Sequence, residues 1–577
     1  MEICDPKQHE EEASRLSFDD ETVNNNKGGW ITFPFIIGTM IGISLAASAW
    51  NANLVVYAIE QYNMKEITAA KLYNIVIGGM TLVSVISAVL ADSFFGSFTI
   101  FIVASFVSLI GVVLFTISAT VPSLRPELCI RNNLVECEPP STVQHGFLYA
   151  TIALAVIGAG GTNFLLGTIG ADQYPNSPKH RQVFFNWFLG AHEIGEVIGY
   201  TAVVYLQSNV NWGIGFGIGV AGNALAILLF CCGSCFYRRV MPRGGSPFTS
   251  IARVVVAYVR KLKTNATKSE IDGNPYFYGT STSSIVHRVP PTNSLRFLNR
   301  AALGRTDDND VIASQRLKKS WSLCTVEEVE DFKRFIRVLP IWSSGLVSSI
   351  IFGVNSSLVV LQALVMDRSM GAHFKIPAGS MLIFIIVSTC LMIFILDRIM
   401  YPLVQHIIRR TLTPLESIGF GYLVNVLSAV AFALVEMKRL DLVKTKILMD
   451  KQAQVVAPMS VFWLVVPLGL MGIGSAFYFP TLMSFYYQEL PISLKNTANA
   501  MIALQFSVGS YLGIVFLSVV QHSTSWLPDD INHGNADYLY WTLTILGFIS
   551  FLYYLLCAKL YKYDYSDGHI ESISRDH

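Results

Sequence analysis

The chain has 577 residues, 52% of them hydrophobic and 14% charged, with a mean hydropathy of +0.47 and a formal net charge of +1. A soluble domain carries about 25% charged residues, so lipid must solvate much of this chain. The near-neutral balance excludes a nucleic-acid partner. No paired catalytic carboxylates, nucleophile motif or metal-ligand set marks an enzyme, and no cofactor is expected.

Residues 1–29 are acidic and polar, with Glu10, Glu11, Glu12, Asp19, Asp20 and Glu21. They lack the basic start and short apolar run of a cleavable signal, so the first span is expected to direct its own insertion. Six apolar runs of spanning length follow: Ile31–Val56, Leu72–Ala91, Phe98–Ala119, Gly146–Leu166, Phe184–Leu206 and Gly213–Cys235. Six more are Val338–Leu361, Met381–Tyr401, Ser417–Val435, Val456–Phe479, Ala498–Val520 and Tyr538–Tyr561. The predicted architecture is an all-α membrane protein of twelve transmembrane helices in two six-helix bundles, residues 30–236 and 338–561.

Between the bundles, residues 237–337 form a basic linker, from Arg238 and Arg239 to Arg334 and Arg337. Lys and Arg near membrane ends favour the cytoplasmic side. With an even number of spans on each side, both termini (residues 1–29 and 562–577) are expected there too. The loop with Lys438, Arg439, Lys444, Lys446 and Lys451 runs against this rule. Within the linker, Phe248–Lys263 is expected to be an amphipathic helix with Val254, Val255, Tyr258 and Leu262 on one face, lying on the membrane or the bundles. Thr264–Ser320 reads as partly disordered. Cys129 and Cys137 share a loop and can pair if it faces outside. Cys232 and Cys235 have C-x-x-C spacing but no second ligand pair, so packing or palmitoylation is expected there, and no metal.

In the fifth span, His192, Glu193 and Glu196 share one helix face. Intramembrane ionisable groups are costly and point to function; the alternative is a buried lock between helices. No Lys or Arg lies in the middle of a span. Neutral donors for a pathway are Asn51, Asn53 and Tyr57 in the first helix, Asn74 in the second, Asn163 in the fourth, Asn355 and Gln362 in the seventh and Gln505 in the eleventh. Each also has the plainer reading of an interhelical hydrogen bond. Asp92 in Asp92-Ser-Phe-Phe-Gly96 reads as a turn residue, and Asp397, Arg398 and Glu416 as similar gate contacts. Gly158, Gly160, Gly161, Gly195 and Gly199 are expected to allow close helix approach.

Several stretches carry a resemblance. They are Val121-Pro-Ser-Leu-Arg-Pro126, Gly170-Ala-Asp-Gln-Tyr174, Phe184-Phe-Asn-Trp187, Gly245-Ser-Pro-Phe-Thr-Ser-Ile-Ala252, Leu323-Cys-Thr-Val-Glu-Glu-Val-Glu330 and Ile336-Arg-Val-Leu-Pro-Ile-Trp342. In this order they resemble the plant nitrate and peptide transporters, within the proton-dependent oligopeptide transporter group of the major facilitator superfamily. The resemblance implies two bundles rocking about a central site. Against the family pattern, Met40, Ile43 and Ser44 stand where an E-x-x-E-R motif handles the coupled proton. Asn163 replaces a fourth-helix lysine, Ser475 a tenth-helix glutamate, and Phe352 a seventh-helix histidine. This departure is similar to the nitrate excretion clade, associated with passive anion efflux.

None of Met40, Ile43, Ser44, Asn163 and Ser475 can titrate, so the usual proton switch is absent by chemistry. A negative interior pushes a monovalent anion outward by about 2.3 kcal/mol per 100 mV. The expected function is voltage-driven, low-affinity efflux of a small inorganic anion, nitrate first and chloride next, at the plasma membrane. The alternatives are a proton-coupled importer of nitrate, peptide or another metabolite working through His192 and its glutamates, and a non-transporting membrane sensor.

Overall fold

The computed structural model describes residues 28–561 apart from 128–138, 175–177, 240–246, most of 263–322, 372–373, 411, 451–455, 491–494 and 529–530. Twelve helices of spanning length build it. Those of the first half are α1 (Gly29–Tyr62), α2 (Glu66–Phe95), α3 (Ser97–Thr120), α4 (Thr142–Ala171), α5 (Pro178–Ile198, continued by a π turn and Val204–Asn209) and α6 (Trp212–Gly233). Those of the second are α7 (Val326–Leu364), α8 (Ala378–Ile407), α9 (Pro414–Asp450), α10 (Val461–Tyr486), α11 (Lys495–Ser523) and α12 (Ala536–Leu560). Eleven are long and apolar enough to cross a membrane. α5 falls below that hydropathy because His192, Glu193 and Glu196 interrupt its apolar run.

The helix ends follow from local chemistry. Reciprocal capping boxes start α4 (Ser141 with Gln144) and α7 (Thr325 with Glu328), each satisfying two orphan backbone donors. α1 is broken at Ala52–Asn53, and α4 at Phe164, just after Asn163. Within the spans, Ser and Thr hydroxyls donate back to carbonyls three or four residues earlier, as at Ser105, Thr151 and Ser475. Close approach is set by small residues. The space a Cβ would need at Gly158 is filled by the backbone of Ser108, and at Gly195 by Ile41 O at 2.7 Å.

Three side-chain hydrogen bonds join the two halves among the described residues, all on the face away from the linker. Asn74 Nδ2 donates to Ser357 Oγ (3.0 Å), Lys71 Nζ to Gln521 Oε1 (2.7 Å), and Ile531 N to Glu66 Oε2 (3.3 Å). Tyr205 of α5 stacks on Phe374 of the α7–α8 connection, at 5.5 Å between centroids. That connection carries two-residue strands. Met366–Asp367 pairs in parallel with Ala457–Ser460, and Ser369–Met370 pairs antiparallel with Phe374–Lys375.

The linker helix runs Pro247–Leu262 and docks under α7. Val254 and Ala257 are buried against Leu298, Ala301 and Val329, and Arg253 pairs with Glu328 at 2.9 Å. The expected apolar face is corrected by this docking. Val255 and Leu262 turn outward and Ala257 turns in, because the receiving groove is formed by the short Arg296–Ala302 helix rather than by a flat surface. Most of Thr264–Ser320, and both Cys129 and Cys137, lie outside the described residues.

The ninth helix differs most from expectation. It does not end at Val435 but continues to Asp450, so Lys438 and Arg439 are helical rather than in a loop. Glu436 and Arg439 are both fully buried and form a bidentate pair, Nε to Oε2 at 2.8 Å and Nη2 to Oε1 at 2.7 Å. Gln362 of α7 donates to Glu436 Oε2 (2.7 Å), and Arg439 reaches Asn532 Oδ1 (2.6 Å) and Ile531 O (3.3 Å). Arg439 therefore carries no net charge to the far face, which removes part of the conflict with the charge rule.

Removing one partner of such a pair leaves an uncompensated buried charge. Arg439→Ala is expected to cost about 3–5 kcal/mol, read as a drop in melting temperature of the purified protein. Glu436→Leu combined with Arg439→Met is expected to recover most of that loss. A double variant as unstable as the single would show that the pair does more than cancel itself.

Candidate functional site

A cleft opens within the second bundle between α7, α9, α10 and α11, about 500 Å³ counted out to its open end. Of the residues expected on the pathway, Phe352, Asn355 and Ser475 line it. Gln505 stands behind its wall and donates to Tyr478 Oη (2.6 Å) and Ser349 Oγ (3.3 Å). The cleft is also lined by Ser349, Tyr422, Asn425 and Tyr478, which sequence reasoning did not single out. One apolar wall is an aromatic trio. Phe352 meets Phe506 at 5.7 Å and Phe479 at 6.4 Å, nearly perpendicular in both cases. Phe352 therefore narrows the cleft, as its bulk predicts.

The polar side is neutral. Ser475 Oγ is spent on Met471 O at 2.8 Å, and Ser349 Oγ on Gly345 O at 3.1 Å. Tyr478 accepts from Gln505, and its hydroxyl also meets that of Tyr422. The amide oxygens of Asn355 and Asn425 are buried without a partner. A buried polar atom left unpaired is costly, so these two amides are poised for water or a solute.

The remaining expected pathway residues are not in this cleft. Tyr57 hydrogen-bonds Ser118 (2.5 Å) inside an aromatic cluster with Phe115, Trp212 and Phe216. Asn53 donates to Ser208 (3.2 Å), and Asn51 is buried beside it at the α1 break. Asn74 ties α2 to α7, and Gln362 belongs to the Glu436–Arg439 cluster. Asn163 is half-buried at the α4 break. Asn53, Tyr57, Asn74 and Gln362 thus each hydrogen-bond a neighbouring helix.

His192, Glu193 and Glu196 do come together. His192 Nδ1 lies 3.8 Å from Glu193 Oε1, and its Nε2 lies 3.9 Å from Glu196 Oε1. Their side chains are 30%, 33% and 29% exposed. Asp397 and Arg398 pair with each other at 3.4 Å on an open surface, where such a pair contributes little. Glu416 binds Arg410 with both oxygens (2.7 and 3.0 Å) and caps α9 through Thr413. None of these three bonds to the first bundle among the described residues.

Asp92 lies in the π turn ending α2, close enough to feel the charge of Asp172 in the α4–α5 turn. Burial lifts the Asp172 carboxyl to about 6; Arg181 and Arg238 pull it down, and Asp92 pushes it further up. An unfolded Asp titrates near ~3.9. The fold therefore holds the proton more tightly, and stability falls as pH rises from about 4 to 6. Relative to Asp172→Asn, the native chain is expected to lose on the order of 1 kcal/mol between pH 4.5 and 7, less than full linkage because Asp172 is partly exposed. Parallel melting curves for the two proteins would remove Asp172 as the cause.

Two helical bundles with a neutral cleft have the architecture of a membrane transporter. Residues 98–532 match the PTR2 model of the POT family. The chain is 42% identical over 544 residues to protein NRT1/PTR family 2.7 of Arabidopsis thaliana, covering 94% of each chain. It is 40% identical to protein NRT1/PTR family 2.3 of the same plant, over 96% of this chain and 97% of the relative. The chain belongs to the POT family, in its NRT1/PTR branch. Solved structures share the fold. An auto-inhibited POT family peptide transporter superposes with a TM-score of 0.67 at 18% identity, covering 93% of this chain and 98% of its own. The POT family transporter PepTSo does so with 0.67 at 16% identity, covering 92% and 99%.

Proposed function

We propose that this transporter carries a small monovalent anion, nitrate first and chloride next, down its electrochemical gradient and out of the cell across the plasma membrane, with both termini and the linker on the cytoplasmic side. The observation that carries the reading is chemical. Met40, Ile43 and Ser44 are buried on α1, and Ser475 lines the cleft with its hydroxyl spent on its own helix. None of them can take up a proton in the transport cycle. The field then supplies the only force in the cleft, and for an anion it points outward.

The cleft fits that cargo. Its lining polar groups are neutral, serine and tyrosine hydroxyls and the Asn355 and Asn425 amides, with no fixed cation among them to hold an anion tightly. Neutral donors in a narrow aromatic-walled cleft favour a small, weakly hydrated ion released easily over one bound strongly. The bonds between the halves lie on the face away from the linker, which is compatible with loading from the linker side.

Proteoliposomes loaded with nitrate and clamped interior-negative should lose it without any proton gradient, and chloride more slowly. Uphill accumulation at fixed voltage, driven by acid outside alone, would overturn the proposal. Tyr478→Phe keeps the ring packing and removes the hydroxyl. It is expected to raise the half-saturating nitrate concentration about tenfold, the equivalent of ~1.4 kcal/mol for one hydrogen bond to an anion. An unchanged constant would take Tyr478 off the path.

The partly exposed cluster on α5 favours one other reading, coupling to protons through His192. The groups around it are Glu193 and Glu196 on its own helix, Tyr200 beyond them, Tyr73 on α2 and Cys390 on α8. If that reading holds, acid-driven uptake should appear and vanish in the His192→Gln, Glu196→Gln double variant.

A further inference from the structure

We infer that Lys71, on the face away from the linker, is an anion-binding station that holds a departing anion at a fixed positive charge outside the cleft. Lys71 lies in the second turn of α2 and is half-buried. A lysine near the end of a span ordinarily turns its ammonium out to the headgroups. This one reaches across the seam between the bundles instead, and donates to Gln521 Oε1 of α11 at 2.7 Å. That neutral amide is its only partner among the described residues. Glu66, the acid nearest to it along α2, accepts from Ile531 N at 3.3 Å.

The chemistry of the group points to an anion. An ammonium carries three donors and no acceptor, and Gln521 takes one of the three. A half-buried cation beside a neutral amide keeps its charge uncancelled. A small anion supplies both the missing acceptor and the opposite charge.

The second observation is where Lys71 stands. Lys71, Asn74 and Gly78 follow one another at i, i+3 and i+7, on one face of α2. That face lies against the second bundle. A Cβ at Gly78 would stand 3.1 Å from Ser510 Cβ of α11, and Asn74 bonds Ser357 of α7. The same two helices wall the cleft, through Phe352 and Asn355 on α7 and Phe506 on α11. Gln521 stands about 22 Å beyond Phe506 by the rise of an α-helix. The seam therefore leads from the cleft wall to Lys71, along the line where two rocking bundles part when solute leaves on that side.

With the seam shut, Gln521 occupies the ammonium. An arriving anion competes with Gln521, and the exchange breaks one of the side-chain bonds that join the halves. Departure of the cargo is thereby tied to loosening of that face. This last step rests on the anion reading above, whereas the binding site does not.

Amine footprinting of the full-length chain in proteoliposomes tests the site without any transport. A small acylating reagent is applied in sodium nitrate, chloride or gluconate at equal ionic strength. Modification of Lys71 is followed by mass spectrometry, with the exposed Lys65 as internal control. Nitrate is expected to slow acylation of Lys71 about threefold relative to gluconate once it exceeds its dissociation constant, and to leave Lys65 unchanged. Gln521→Leu removes the competitor and should bring that protection to lower nitrate concentrations. Equal rates at Lys71 in all three salts overturn the site. So does a Lys71 that stays unmodified while Lys65 reacts, since a station open to anions is open to a small reagent. In flux, external nitrate should speed the exit of labelled nitrate relative to gluconate, an effect lost in Lys71→Gln and kept in Lys71→Arg. The same response in Lys71→Gln as in the parent overturns the coupling. Protection of Lys71 without any nitrate flux would count against the nitrate reading and leave the site standing.

Discussion

In hydrocarbon, a polar group must find its partner inside the protein, and that constraint orders the whole molecule. It makes every span a helix and turns Ser and Thr hydroxyls back onto their own carbonyls. It also explains why Glu436 and Arg439 lie together with no exposure, their remaining valences filled by Gln362, Asn532 and the Ile531 carbonyl. A charge there without its opposite would not be tolerated, so the α9 extension, the α11–α12 connection and the end of α7 are fixed as one unit. Through Ile531 and Glu66 that unit also reaches the first bundle.

The same constraint separates the residues that hold the fold from those free to act. Asn53, Tyr57, Asn74 and Gln362 each have a partner within 3.2 Å, and their donors are consumed. Asn53, Asn74 and Gln362 still keep a buried amide oxygen without a partner, as do Asn355 and Asn425, and of these five Asn355 and Asn425 line the cleft. An unmatched buried polar atom is expensive, and at the cleft there is space beside the two amide oxygens for a donor to enter.

How much of this was legible in the sequence depends on the signal each feature leaves. Long apolar runs reveal spans, and the helix count, order and linker followed from them. The resemblance located Phe352 and Ser475, both in the cleft, because it aligned them to family positions. Periodicity could not sort the Asn residues, since helices that are apolar on every face give no moment to say which side meets the cavity. The end of α9 was misread because Glu436, Lys438 and Arg439 look like a water-facing stretch. The usable signal was opposite charge at i and i+3, which on a continued helix puts both groups on one face.

The cleft and the α5 cluster divide the work between kinds of charge. The cleft has no ionisable group except phenols among its lining residues, so its affinity for an anion rests on dipoles and is weak by construction. Among the ionisable groups in the spans, Glu436 and Arg439 cancel each other, while His192, Glu193 and Glu196 gather on α5, away from the aromatic trio. A fixed cation in the cleft would tighten the binding of an anion and slow its release together.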